Sequence, residues 1–137
     1  MPVLLKSILS AVLFGGLILA APAFAQKPNT TTNYVNLNVV NFQKELAAQK
    51  GVVLDVRTPT EFAQGHLPHA INMNYQDPEF EQAIKNLKPN QPYFIYCAKG
   101  GRSAKACDQL KANNLKKVYN LEGGIAAWQQ AGQVIVK

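Results

Sequence analysis

The chain has 137 residues, 47% of them hydrophobic and 16% charged, and its 14 basic against 8 acidic side chains give a net charge of +6. That length holds one domain around one core, and the positive charge is too diffuse for a nucleic-acid stripe; it suits the attraction of small anions, but ordinary solubility is the larger reason for it. Two cysteines in all rule out a disulfide scaffold as the source of stability.

Lys6 gives a short positive start, Ile8 to Ala20 an apolar run of 13 residues, and Ala21-Pro22-Ala23-Phe24-Ala25 a close of small residues. A spanning helix needs about 20 apolar residues, so residues 1–25 are predicted to be a secretory signal cleaved after Ala25 rather than an anchor. No cysteine follows the small-residue box to take a lipid. The expected product is a periplasmic or secreted domain of 112 residues with 13 basic and 8 acidic side chains, a net charge of +5, and no stable membrane insertion.

Residues 26–33 are polar and aperiodic and read as a flexible leader, with the domain following at 34–137. Asn38 caps a helix carrying Val39, Phe42 and Leu46 on one stripe, which Gly51 stops. Val52 to Val56 is a continuous β-branched run of the kind found in parallel strands covered on both faces. Thr58-Pro59-Thr60-Glu61 combines a cap, a proline at the first helical position and a glutamate three residues after the cap, so a short helix runs from there to near Gly65. Ile71 lies in a brief extended piece, Glu79 to Leu87 is weakly helical, and Tyr93 to Tyr96 is a second buried strand. Ser103 to Asn113 is a helix, Val118-Tyr119 a last strand, Gly123-Gly124 a turn needing positive φ, and Ile125 to Gln130 a final helix whose Trp128 fills the core. Strands alternating with helices at this spacing predict an α/β domain with a mostly parallel sheet and helices on both faces.

Cys97 is the residue that points to chemistry. It follows a strand directly and opens Cys97-Ala98-Lys99-Gly100-Gly101-Arg102-Ser103, ahead of a helix, at the strand end where ligands of such sheets bind. Backbone N–H groups of that turn converge on one spot, and thiolates so placed or near cations have pKa values lowered to roughly 3.5–7.5. Cys97 is therefore read as a nucleophile that must be reachable by its substrate; the competing reading is an inert buried thiol. A bridge to Cys107 is formally possible, but Ala104, Cys107 and Leu110 share one helix face and mark Cys107 as a small buried hydrophobe. His66 and His69 lack a second cluster of cysteines or carboxylates spaced for zinc, so no metal is expected and His66 is read as structural. Asp55, Arg57 and Glu61 gather at a strand end and the helix after it as an ion-pair and capping network, with Asp55 and Arg57 shaping the pocket from behind. Lys116-Lys117 is a solvated pair at a helix exit.

Four blocks together resemble the rhodanese domain in order and spacing, from about Tyr34 to the C-terminus. They are Leu54-Asp55-Val56-Arg57-Thr58-Pro59 with Glu61-Phe62, Gly65-His66-Leu67-Pro68 with Ala70-Ile71-Asn72, the Cys97 turn, and Leu121-Glu122-Gly123-Gly124-Ile125 with Trp128. The resemblance implies a rhodanese-like fold and a cofactor-free sulfurtransferase. Its Cys97 takes sulfane sulfur from a small anionic donor such as thiosulfate, becomes a persulfide, and passes the sulfur to cyanide, a small thiol or a thioredoxin-like acceptor. Ala98, Lys99, Gly100, Gly101, Arg102 and Ser103 then form the substrate cradle, with Lys99 and Arg102 as anion-attracting groups, and the expected form is a monomer. Two alternatives stand beside it: a non-catalytic binding module of the same fold, and a cysteine-dependent phosphatase or arsenate reductase, whose relatives carry one more residue between Cys and Arg. Two positions depart from the family pattern. Ala98 stands where many members have Arg, and His69 where they usually have Gly.

Overall fold

The computed structural model describes residues 33–137 together with Gly15 and Gly16. The expected signal segment, those two glycines apart, and all but the last residue of the expected leader lie outside the described residues.

Five strands, β1 (Val35–Leu37), β2 (Val52–Asp55), β3 (Ile71–Asn72), β4 (Tyr93–Tyr96) and β5 (Val118–Leu121), form one sheet in the order β1-β5-β4-β2-β3 with every pair parallel. Five helices connect or follow them: α1 (Val39–Gln49), α2 (Pro59–Gln64), α3 (Phe80–Ile84), α4 (Gly101–Ala112) and α5 (Gly124–Gln130). The chain leaves β2 toward β3 on one side and β4 toward β5 on the other. The topological switch point therefore falls between β2 and β4, whose carboxyl ends are Asp55 and Tyr96.

Period-two alternation along the central strands builds two cores. Tyr93 and Ile95 of β4, with Leu54 and Val56, pack toward Phe80 and Ile84 of α3 and Ala106, Cys107 and Leu110 of α4. Phe94 and Tyr96 point the other way, with Val53 and Leu121, toward Val39 and Phe42 of α1 and Ile125 and Trp128 of α5. Phe42 meets Phe94 and Trp128 edge-on at centroid distances of 5.3 and 6.3 Å, and burial of each such ring is worth about 1.5–3 kcal/mol. Both faces of β4 are thus covered, which is why its sequence carries no polar alternation.

The helix signals of the sequence are met with small shifts. Asn38 Oδ1 accepts from Asn41 N–H at 2.9 Å, and Thr58 and Glu61 close a reciprocal capping box around Pro59. At the end of α1 the left-handed residue is Lys50, φ 49°, rather than Gly51. Gly51 is required for another reason: a Cβ there would run into the Phe94 ring. Helix α3 is shorter than the expected Glu79 to Leu87, and α4 begins two residues before Ser103. Strand β1 was not legible at all. Val35 is 49% exposed and is followed by the polar Asn36, so its strand character comes from pairing Val35, Asn36 and Leu37 with Tyr119, Asn120 and Leu121.

Candidate active site

Continuing the alternation of β4 by one residue turns Cys97 to the face of Tyr93 and Ile95, at the switch point and directly under the N-terminus of α4. The loop over it is shaped from α5. Ile125 N–H donates to the Cys97 carbonyl at 2.9 Å and Ala126 N–H to the Ala98 carbonyl at 3.2 Å, two donors that the start of a helix leaves free. A planar trans peptide points its N–H opposite to its C=O, so pulling these two carbonyls toward α5 turns the Ala98 and Lys99 N–H groups inward. Gly124, φ 59°, permits the approach: a Cβ there would lie 2.6 Å from the Ala98 carbonyl carbon and oxygen. Gly100, φ 111°, closes the turn and donates its N–H to Cys97 Sγ at 3.0 Å.

The thiol is acidified by this nest. Burial pushes its pKa up, but the Ser103 hydroxyl and the N–H groups of Ser103, Gly100 and Lys99 together outweigh burial and hold it below the ordinary cysteine value. The Ser103 hydroxyl lies between two acceptors, the sulfur and the Gly100 carbonyl at 3.2 Å, and has one proton to give. It turns to the sulfur when the thiolate forms, because the charge-assisted bond is the stronger. Cys97 is only 2% exposed, less than an open nucleophile implies. The physical reason is that the folding-over of the loop that aims the amides also covers the sulfur, leaving it at the floor of the nest. Cys107 is fully buried, its pKa driven up by desolvation, and both cysteines are free, so the bridge between them is not formed.

The other sequence-predicted residues divide. Lys99 and Gly101 are exposed on the rim, Ala98 and Gly100 are half-buried, and Ser103 is buried. Arg102 is placed in the first turn of α4 but is not a free cation: its two terminal nitrogens bind the Glu61 carboxylate at 2.8 and 2.9 Å. Asp55, wholly buried, takes Arg57 Nε and Nη2 at 3.0 and 2.7 Å and also accepts from the Tyr96 hydroxyl, while Arg57 Nη2 reaches the Gly65 carbonyl at 2.7 Å. Asn72 ties down the carbonyls of Asp55 and Arg57 at 3.0 and 2.9 Å. This group clamps the end of β2 to the 65–72 segment. Arg57 and Glu61 also line a cavity of about 230 Å³ with Gln64, Gly65, Ile125 and Gln129, beside the Cys97 loop.

His66 is structural in placement, with Nδ1 3.0 Å from the Phe62 carbonyl and its ring stacked on Phe62 at 3.8 Å. His69 adopts φ 62°, which accounts for the glycine that the family pattern has there. Among the described residues no group of three or more His, Cys, Asp or Glu is placed to hold a metal. Sequence reasoning missed the partnership of Glu61 with Arg102, the Tyr96 hydroxyl on Asp55 and the α5 amides on the loop carbonyls. Of these only the last had a signal, the paired glycines at 123 and 124.

Comparison with known proteins places this geometry. The family model of the rhodanese-like domain matches residues 39–131. A protein of Allochromatium vinosum named Sulfurtransferase is 35% identical over 97 residues, covering 70% of this chain and 89% of that protein. An uncharacterized protein of Bacillus subtilis, YqhL, is 32% identical over 80 residues, covering 58% of this chain and 62% of that relative, so the chain spans under two thirds of its length. The crystal structure of a rhodanese-related protein from Thermoplasma volcanium superposes with a TM-score of 0.67 at 32% identity, over 75% of this chain and 98% of the other.

Proposed function

The chain belongs to the family of rhodanese-like domains, and on that premise we propose that it is a sulfurtransferase working through a persulfide on Cys97. The observation that carries the proposal is the Gly100 N–H on Cys97 Sγ at 3.0 Å, within a nest of donors that lowers the thiol pKa. A Cys97 thiolate attacks the terminal sulfur of a donor such as thiosulfate. The new S–S bond forms as the old one breaks, and sulfite leaves with the electron pair. The outer sulfur of the persulfide then rests among the same N–H groups until cyanide, a small thiol or a thioredoxin-like protein attacks it and Cys97 departs as thiolate. Two half-reactions through one covalent intermediate predict ping-pong kinetics.

A sulfur at the floor of a tight nest suits a donor whose transferable atom is terminal and slim. The loop has four residues between Cys97 and Arg102, which favours sulfur over the larger phosphoryl group. Export to the periplasm or beyond is part of the proposal and rests on the segment through Ala25; a mature N-terminus at Gln26, read by N-terminal sequencing of the exported protein, tests it. The direct test of the activity incubates the protein with thiosulfate and weighs it intact, then adds cyanide and measures thiocyanate. The expected result is a gain of one sulfur atom, lost again to cyanide and absent in Cys97→Ser. A wild type that gains no sulfur either from thiosulfate or from an organic persulfide, or a Cys97→Ser protein with full turnover, overturns it.

A further inference from the structure

Lys99 and Arg102 were expected to share the work of attracting an anion, and the structure separates them. Arg102 stands in the first turn of α4, close enough to Cys97 for the thiolate's charge to raise its own pKa. Yet both of its terminal nitrogens are occupied by Glu61, a residue brought across from α2. The arrangement around the pair is likewise self-cancelling. Arg57 is neutralised by Asp55, and Ala98 contributes no charge. Among the described residues the two ion pairs are those of Arg57 and Arg102, so Lys99 is the rim cation in neither. With Arg102 cancelled by Glu61, residues 98–103 set one further cation, Lys99, against the Cys97 thiolate and hold no surplus of positive charge for a dianion.

We propose that Glu61 sets the charge preference of the site by cancelling Arg102, so that the mouth favours sulfane donors of low charge, such as an organic persulfide, over the thiosulfate dianion. This rests on the reading of Cys97 as the nucleophile. For a dianion the nest supplies only partial charges from its amides, while the thiolate repels it; for a singly charged or neutral persulfide that repulsion is smaller and the amides suffice. In the transfer, the Cys97 thiolate bonds to the outer sulfur of R–S–S–H, the bond between the two donor sulfurs breaks, and R–S⁻ leaves with the electron pair and takes up the donor's proton. Glu61 touches no substrate in this account; it is a positioning residue that acts through Arg102.

Alkylation separates charge from chemistry, because iodoacetate and iodoacetamide attack the same thiolate and differ in charge. Glu61→Gln keeps a residue able to close the capping box with Thr58 and frees the Arg102 charge. The ratio of the iodoacetate to the iodoacetamide rate constant at low salt is expected to rise about threefold to tenfold, and the KM for thiosulfate to fall by a similar factor with little change in kcat. Arg102→Gln, which leaves Glu61 uncompensated, should move the ratio in the opposite direction, so the outcome does not hang on one variant folding. Measured turnover should also favour hydroxyethyl persulfide over thiosulfate in wild type, by a margin that Glu61→Gln narrows. If Cys97 reacts with both reagents but neither variant moves the ratio beyond twofold, the role of Glu61 is overturned. If Cys97 reacts with neither reagent, it is the nucleophile reading that fails.

Discussion

Replacing Gly124 by alanine tests whether the loop over Cys97 is held in shape from α5. At φ 59° a residue with a Cβ pays about 1–2 kcal/mol for the left-handed conformation. Its Cβ would also lie 2.6 Å from the Ala98 carbonyl carbon and oxygen. Those are backbone atoms, so no side-chain rotation relieves the clash and the start of α5 must move off the loop. That movement breaks the bonds from Ile125 and Ala126, at 2.9 and 3.2 Å, each worth about 0.5–1.5 kcal/mol. The combined loss is about 2–5 kcal/mol, which for a domain of this size lowers Tm by roughly 10 °C or more. The chemical consequence is separate: with the loop carbonyls released, the inward N–H groups tilt away and the Cys97 pKa returns toward the ordinary thiol value. Iodoacetamide should then label Cys97 more slowly at neutral pH. Gly101→Ala is the control, since a Cβ there meets no atom within 4 Å and φ is not positive; it should shift stability by less than about 1 kcal/mol, in the stabilising direction. A Gly124→Ala protein with wild-type Tm and wild-type thiol reactivity refutes the reasoning.

Ser103→Ala removes the hydroxyl that turns to the ionised sulfur, so the pH profile of iodoacetamide labelling should move to higher pH; an unmoved profile assigns the acidity to the amides alone. The Glu61 carboxyl is held at about 2 chiefly by its bonds to Arg102, below its ordinary value of 4.5. A depressed carboxylate stabilises the fold above its unfolded pKa and loses that contribution as pH falls through the folded one, so the stability gap between wild type and Arg102→Gln should close between about pH 4.5 and 2. Because the pair is partly exposed, the gap above that window is about 0.5–1 kcal/mol, measurable by urea denaturation at several pH values. His69→Gly relieves a left-handed non-glycine residue, and after the added chain entropy of glycine it should stabilise by about 0.5–1 kcal/mol; an unchanged or lower Tm contradicts this. Titration with a thiol reagent should find one reactive cysteine in the native protein, Cys97, and the second only on unfolding, because Cys107 is fully buried with its pKa raised.

How much of this fold the sequence discloses depends on whether each signal is local. The Thr58-Pro59-Thr60-Glu61 box acts within one helical turn, and the structure carries it out residue by residue. The run from Tyr93 to Tyr96 is buried on both faces as its composition requires. Strand β1 has no such signature. Its three residues become a strand because β5 offers an unpaired edge, and that edge depends on a residue pairing 84 positions away. The end of α1 shows a subtler limit: a glycine beside a helix terminus reads as the left-handed cap, but the position that turns is Lys50, while Gly51 is demanded by the Phe94 ring packed against it. Only the packed structure tells those two uses of glycine apart.

The candidate site divides along the same line. The nest around Cys97 was legible because strand, glycine turn and helix are contiguous from Tyr93 to Ala112, so spacing alone brings amides onto the sulfur. The electrostatics were not. Glu61 already had a complete local role in the capping box, and a carboxylate that satisfies a local pattern gives no sign that its remaining lone pairs reach a cation 41 residues further on. Arg102, read beside Cys97 in the chain, counted as a free positive charge for the same reason. In a site this small one such pairing changes the electrostatic conclusion: one of the two cations expected to draw in an anion is already neutralised, and thiol acidity falls to hydrogen-bond donors that carry no formal charge. It follows that the acidity of Cys97 should be largely insensitive to added salt, because short bonds from partly buried amides are hardly screened, whereas any anion preference that Glu61→Gln uncovers should fade as salt rises.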